Sequence, residues 1–209
     1  MRRRDYYTKE VWFNPKKFYE HGYPRDYFSS YFELNPAMEN EIQLLLKKRK
    51  FKSALEIGPG GNPVVEGAKE HVYLDVSKEV VRWEENAVRG TIERLPFKDN
   101  SFDVVVACDV LTHILPENRE NAIQEMARVS RNILIWDYEL KTKKGKKMPH
   151  VPYAPVESRV EYDTIMGLIK KIGRVTLSER ARFAVGAHYN KEYILRFYWI
   201  LARCRDGKK

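Results

Sequence analysis

One stretch of the chain carries residue types that ligand chemistry demands more than packing does: Ala54-Leu55-Glu56-Ile57-Gly58-Pro59-Gly60-Gly61-Asn62-Pro63. An apolar run ending in glycines describes a strand that must turn sharply and let a ligand approach its backbone with no Cβ in the way. The dinucleotide fingerprint G-x-G-x-x-G does not fit, because its third glycine falls on Pro63. A phosphate-cradling P-loop does not fit either, since no Lys-Ser or Lys-Thr follows the glycines. A carboxylate at Glu56, just ahead of the turn, repels a pyrophosphate and suits a ligand bearing an ammonium or a sulfonium. On a buried strand that carboxylate also needs a partner, because an unpaired buried charge is costly. Taken singly, Gly58 and Gly60 mark any tight strand-to-helix turn. Asp75 on its own reads equally as a helix cap, although Ser77 is better placed to cap the residues that follow.

The elements that must hold these residues follow from the apolar periodicity. Pro36–Lys50 has Met38, Ile42, Leu45 and Leu46 at helical spacing and ends in a basic cluster, as a helix C-terminus should. Strands are expected at Ser53–Ile57, His71–Asp75, Ala87–Gly90, Phe102–Cys108 and Arg131–Trp136. Helices are expected at Lys78–Glu85 and at Glu117–Val129, the latter opened by Pro116. A Lys- and Pro-rich basic insertion, 138–156, precedes a helix over Glu157–Lys171. Two β-type runs, Val175–Ala187 and Tyr193–Cys204, close the chain around a turn at His188–Lys191. Short apolar runs alternating with helices imply a parallel sheet with crossover helices. The expected fold is therefore α/β, a doubly wound, mostly parallel seven-stranded sheet with an antiparallel C-terminal strand.

Length and composition bound the answer. At 209 residues the chain is one domain, or one domain with an appendage, by the usual ~100–200 residues per domain. Residues 1–36 hold 11 of the 26 aromatics, interleaved with Arg2, Arg3, Arg4, Lys9, Lys16, Lys17 and Arg25, and Pro15, Pro24 and Pro36 break the segment into short pieces. They are expected to form an aromatic-rich N-terminal extension of short helices and loops, a lid or substrate platform on a domain spanning 37–209. No apolar stretch approaches the ~20 residues needed to cross a bilayer, and the basic N-terminus leads into no signal-like segment. Cys108 and Cys204 give neither a disulfide framework nor a metal cluster, and the histidines show no ligand spacing. A soluble, cytoplasmic protein without metal or membrane is the expectation. Lys+Arg at 38 against Asp+Glu at 29 gives +9, which favours polyanionic partners. Abundant charge with glutamine only at 43 and 124 suits a heat-adapted, thermophile proteome.

The order of these features resembles the class I (Rossmann-fold) S-adenosylmethionine-dependent methyltransferase family over about Ser53–Asp137. Glu56-Ile57-Gly58-Pro59-Gly60 is similar to its first motif, and Val72-Tyr73-Leu74-Asp75-Val76-Ser77 to its second strand. Gly90 through Val105, with Leu95-Pro96-Phe97-Lys98-Asp99-Asn100-Ser101-Phe102-Asp103, is similar to its loop and fourth strand. The resemblance implies S-adenosyl-L-methionine as cofactor, held by Glu56, Gly58, Pro59, Gly60, Asp75, Val76, Thr91, Ile92, Glu93 and Cys108. It implies that Asp75 takes the ribose hydroxyls and that Thr91 and Ile92 flank the adenine, Ile92 through its backbone N–H. Relatives often carry Asp where Thr91 stands, and Asn62 replaces the usual last glycine of the first motif.

The resemblance also implies that Cys108-Asp109-Val110-Leu111-Thr112-His113 lies beside the transferred methyl. Asp109 fits the first position of the amino-methylating enzymes, whereas Val110-Leu111-Thr112 does not fit the Pro-Pro-aromatic that follows there. Asp109 is the candidate catalytic residue, accepting an N–H from an exocyclic amine; the alternative is that it only starts the next helix or touches the methionine end. His113 is a general-base candidate or, more simply, a core or capping histidine. Lys141, Lys143, Lys144, Lys146 and Lys147, just after the fifth strand, are candidate RNA-binding residues, and lysines with aromatics suit unpaired RNA. The expected activity is RNA methylation at an exocyclic base nitrogen, cytosine N4 among the options, with ribosomal RNA or a ribosomal particle as partner. The alternatives are a small-molecule methyltransferase for a quinone, lipid or metabolite, and a non-catalytic cofactor-binding subunit that docks on RNA or a ribosome.

Overall fold

Two strands buried along almost their whole length, β1 (Ser53–Ile57) and β4 (Val104–Cys108), lie side by side and parallel in the middle of the sheet. Such strands need cover on both faces of the sheet. The computed structural model describes residues 13–14, 35–60, 63–66, 68–83, 85–142, 159–180 and 193–205. On one side β1 pairs in parallel with β2 (Glu70–Asp75), and β2 with β3 (Ala87–Arg89). On the other side β4 pairs in parallel with β5 (Asn132–Thr142). β7 (Tyr193–Cys204) runs antiparallel to both β5 and β6 (Gly173–Arg180), so the order is β3-β2-β1-β4-β5-β7-β6. The seven-stranded, mostly parallel sheet is as expected. The chain winds outward from β1, then crosses back to β4, and the carboxyl ends of those two strands flank the switch point where such folds bind ligands.

The alternation of side chains across the sheet assigns two layers. Leu55, Ile57, Val105, Ala107, Ile133 and Ile135 face α3 (Arg119–Val129) and α4 (Tyr162–Ile172), packing with Ile123, Met126, Ile165 and Ile169. Ala54, Val104, Val106, Leu134 and Leu201 face the other way, against Ile42 and Leu46 of α1 (Asn35–Arg49) and against Val64 and Val65. Among the described residues one further α-helix, α2 (Lys78–Trp83), joins β2 to β3.

Several expected boundaries move, each for a visible reason. The expected helix over Glu157–Lys171 begins only at Tyr162, because the Arg159 carbonyl accepts from Arg119 Nη1 at 2.7 Å and the Val160 carbonyl from the Tyr198 hydroxyl at 3.2 Å. The helix expected from Glu117 starts with a one-turn 3₁₀ segment, Pro116–Asn118. Phe102 makes an isolated bridge to Ser130 ahead of β4. The expected strand Arg131–Trp136 continues to Thr142, paired residue for residue with β7, so the first part of the supposed insertion 138–156 is sheet. The strand expected at Val175–Ala187 begins at Gly173 and is described as far as Arg180. Apart from Phe13 and Asn14, residues 1–34 lie outside the described residues, as do 143–158.

Candidate functional site

The glycine bend leaves β1 with two residues in the left-handed region, Gly58 at φ +67° and Gly60 at φ +58°. Side chains rarely adopt this conformation, which is why the pair are glycines. A Cβ on Gly58 would also lie 2.9 Å from Val110 Cγ2, so the bend and the turn after β4 are packed against each other. The Gly58 N–H donates to the Leu74 carbonyl at 2.8 Å, and Pro59 is buried.

Glu56 is 2% exposed, and its Oε2 accepts the backbone N–H groups of Val64 at 2.8 Å and Val65 at 3.2 Å. This is the partner that a carboxylate on a buried strand requires. It ties the chain after the bend back onto β1.

Asp75 ends β2 with only 4% of its surface exposed. Its Oδ1 accepts the Ser77 N–H at 2.8 Å. Burial raises the Asp75 carboxyl above its ordinary value, while hydrogen bonds from the backbone at Ser77, Gly60 and Val76 pull it back. Ser77, not Asp75, caps α2, its hydroxyl accepting the Val80 N–H at 3.5 Å. Asp75 is thus left at the bend, in touch with Gly60.

The turn after β3 is fastened from the opposite helix. Thr91 Oγ1 accepts the Glu93 N–H at 3.1 Å. Glu93 Oε1 accepts from Asn118 at 2.6 Å and its carbonyl from Asn121 at 2.8 Å. The Ile92 side chain is buried in the core beside Leu74 and Leu95, so its backbone is what it can offer a ligand. Farther along, Arg128 donates to the carbonyls of Phe97 at 2.8 Å and Leu95 at 3.0 Å, and Glu125 accepts the Leu95 N–H at 2.8 Å. Val76 completes this edge, its carbonyl accepting from Arg89 at 3.1 Å.

At the end of β4, Asp109 has φ +53°, a conformation that Asp tolerates better than most residues. Its N–H donates to the Trp136 carbonyl at 2.9 Å, and its Oδ1 accepts from the Thr112 hydroxyl at 3.1 Å. Burial, with the charges of Glu56, Asp137 and Asp109, pushes the half-buried Cys108 thiol well up, so it is no thiolate nucleophile. His113, half-buried, closes the one-turn 3₁₀ segment Leu111–His113.

Two buried residues that the sequence did not single out stand near Asp109. Asp137 on β5 is 1% exposed; its Oδ1 accepts the Tyr138 N–H at 2.8 Å, and its Oδ2 has no hydrogen-bond partner among the described residues. Burial and the neighbouring charge of Asp109 push its carboxyl well above the ordinary range, opposed by Tyr138 N–H and Arg119. The next inward acid on the strand, Glu139, is by contrast paired with Arg180 at 2.7 and 2.8 Å. Arg119, buried at the start of α3, binds the Leu111 and Ile114 carbonyls at 3.1 Å each, in addition to Arg159. An acid inside an apolar strand was the available signal for Asp137; nothing local marked Arg119. Of the lysines expected to bind RNA, Lys141 lies in β5, while Lys143, Lys144, Lys146 and Lys147 lie outside the described residues. Among the described residues no cluster of His, Cys, Asp and Glu could hold a metal ion, and no helix is long and apolar enough to cross a membrane.

Comparison with known proteins agrees with this architecture. Residues 55–132 match the family described as methyltransferase domain. An uncharacterized protein of Methanocaldococcus jannaschii is 35% identical over 130 residues, which is 56% of each chain, so the chain spans just over half the length of that relative. A protein of Pyrococcus horikoshii superposes with a TM-score of 0.57 at 17% identity, covering 95% of this chain and all of its own. A structure of S-adenosylmethionine-dependent methyltransferases from Methanosarcina mazei superposes with a TM-score of 0.54 at 15% identity, covering 74% of this chain and 93% of its own.

Proposed function

We propose that this chain, whose residues 55–132 match the methyltransferase-domain family, uses S-adenosylmethionine to methylate RNA, with ribosomal RNA as the target class and an exocyclic base nitrogen, such as cytosine N4, as acceptor. The residues at the switch point fit that cofactor: two left-handed glycines open the backbone, and a buried acid closes the second strand beside them. Bound there, the cofactor supplies an electrophilic methyl carried on a sulfonium. Asp75 takes the ribose hydroxyls, while Thr91 and the backbone of Ile92 border the adenine. Glu56 builds the bend and adds negative charge behind the cationic end.

The observation that carries the reading is the contact between bend and acceptor turn. Val110 lies against Gly58, and this supports Asp109, the residue before Val110, as the group beside the donor. Asp109 accepts an N–H of the incoming amine, points its lone pair toward the methyl and compensates the positive charge that develops on nitrogen. The net charge of +9 supports a polyanionic acceptor, and the lysines at 141–147 with the aromatic segment 1–36 are the proposed platform and lid on the domain at 37–209.

The test offers labelled cofactor in parallel to total RNA, ribosomal particles and a small-molecule extract. Label is expected in RNA, on an exocyclic nitrogen. Asp109→Asn, which tolerates the same backbone conformation, should lower transfer by about a hundredfold or more while leaving cofactor binding intact. Label appearing only in the small-molecule fraction sinks the RNA assignment, and undiminished transfer by the variant sinks the role of Asp109.

A further inference from the structure

The amino ends of the parallel strands, away from the donor site, carry a basic groove that the proposed chemistry does not use. One concavity of about 310 Å³ is lined by Arg49, Phe51, Arg131, Arg174, Leu201 and Arg203, among others. A second, of about 630 Å³, shares Arg174 and Arg203 with it and adds Lys170 and Arg205. No described acidic residue lines either one. Asp103 reaches the rim, pairing with the largely exposed Arg131 at 3.4 Å. Arg49, Arg174 and Arg203 are exposed and form no ion pair with a described acid.

The arrangement within the sheet is the telling part. Arg174 and Arg203 are directly opposite one another in the β6–β7 ladder, and Arg203 is opposite Asn132 in the β5–β7 ladder, one residue from Arg131. Like charges facing each other across a strand pair are destabilising. Basic residues at the end of α1 are explained by the helix dipole, but that does not extend to a cross-strand arginine pair. Arg174 and Arg203, on strands about 4.8 Å apart, therefore line both concavities together.

We propose that this groove docks the phosphate backbone of RNA, at a segment remote from the base that is methylated; the inference rests on the reading of RNA as acceptor. From Asn132 to Asp137 along β5 is roughly 17 Å, so the groove and the donor edge engage different parts of one RNA. Arginine, with its planar fork, binds phosphate in two places at once, which a lysine cannot. Phe51, packed on the core and half-buried, adds an aromatic residue to the lining of the groove. This chemistry favours nucleic acid over an acidic protein surface or an anionic membrane.

The probe is polyuridylate, whose bases have no exocyclic amine, so its binding is independent of methyl transfer. Binding of the full-length chain is measured by anisotropy over a series of salt concentrations. The double variant R174Q/R203Q should bind more weakly, and its slope of log K against log salt should be shallower by about 1.4, at ~0.7 per phosphate contact. Cofactor binding should be unchanged in the same preparation. Arg49→Gln, at a helix end that lines the same concavity, provides a second variant with a smaller loss of slope. Unaltered slopes in both variants overturn the groove, even if RNA is methylated normally. Variant-sensitive polyuridylate binding without any methylation of RNA keeps the groove and sinks the acceptor assignment. Polyglutamate or anionic vesicles displacing polyuridylate from the wild type, and binding it more tightly than RNA does, overturn nucleic acid as the occupant.

Discussion

Glu56 on β1 holds Val64, eight residues ahead, through a 2.8 Å hydrogen bond from the Val64 N–H to Oε2, with the Val65 N–H sharing the same oxygen at 3.2 Å. One buried carboxylate therefore satisfies two consecutive backbone donors and holds the chain that leaves the glycine bend. The cost of burying its charge is offset by charge-assisted bonds, each worth about 1.5–3 kcal/mol.

Glu56→Ala strands both donors and opens a hole, so a loss of about 2–4 kcal/mol in unfolding free energy is expected by urea titration. Glu56→Gln keeps an acceptor oxygen and should cost about 1–2 kcal/mol. Equal losses in the two variants would show that the oxygen is not what matters.

Gly58→Ala meets two penalties, the left-handed backbone and the 2.9 Å approach to Val110 Cγ2, and should destabilise by about 2–4 kcal/mol. Gly60→Ala meets at least the backbone penalty, about 1–2 kcal/mol. Trimming Val110 to Ala in the Gly58→Ala background should recover part of the loss. A double-mutant cycle with no coupling between the two sites refutes the contact.

Asp75→Asn retains an acceptor for the Ser77 N–H and should fold, yet bind S-adenosylmethionine about 10–100-fold more weakly in calorimetry, as the loss of one charge-assisted bond predicts. Unchanged affinity would remove Asp75 from the ribose.

Asp137 gives a pH signature. Its carboxyl is raised by burial first and by Asp109 second, while Arg119 on α3 and the Tyr138 N–H oppose the shift, and the Tyr198 hydroxyl on β7 faces the same charge. An acid whose folded value lies above its unfolded one contributes stability that is full below the unfolded value, about pH 4, and is lost as pH rises toward the folded value. Asp137→Asn keeps the Tyr138 contact and removes the ionisation. Its Tm at pH 7 to 8 should exceed the wild type's by a few degrees, with the gain shrinking toward pH 4. A Tm difference that does not vary with pH would exclude an ionisable cause.

Much of the site was legible because its signals are local. Gly58 and Gly60 announce a bend by having no Cβ, Asp75 ends an apolar run, and the alternation of strands with helices leads to the sheet. The beginning of the helix at Tyr162 was not legible. Arg159 and Val160 carry helix-compatible side chains, but their carbonyls are taken by Arg119 and Tyr198, some 40 residues away in either direction. The same holds for the end of β5, which runs past Trp136 because β7 supplies a partner for every residue to Thr142.

Spacing along the chain settled the parallel sheet, the glycine turn and the acids beside it, since each depends on the conformational limits of a few consecutive residues. Which group answers the Glu56 charge, why one Asp137 oxygen has no partner among the described residues, and that Arg174 stands opposite Arg203 were decided only by strand register and burial. Those arise when distant segments close on one another, and the energy of a charge or a hydrogen bond is set by what that closure brings within a few ångströms and what water it excludes.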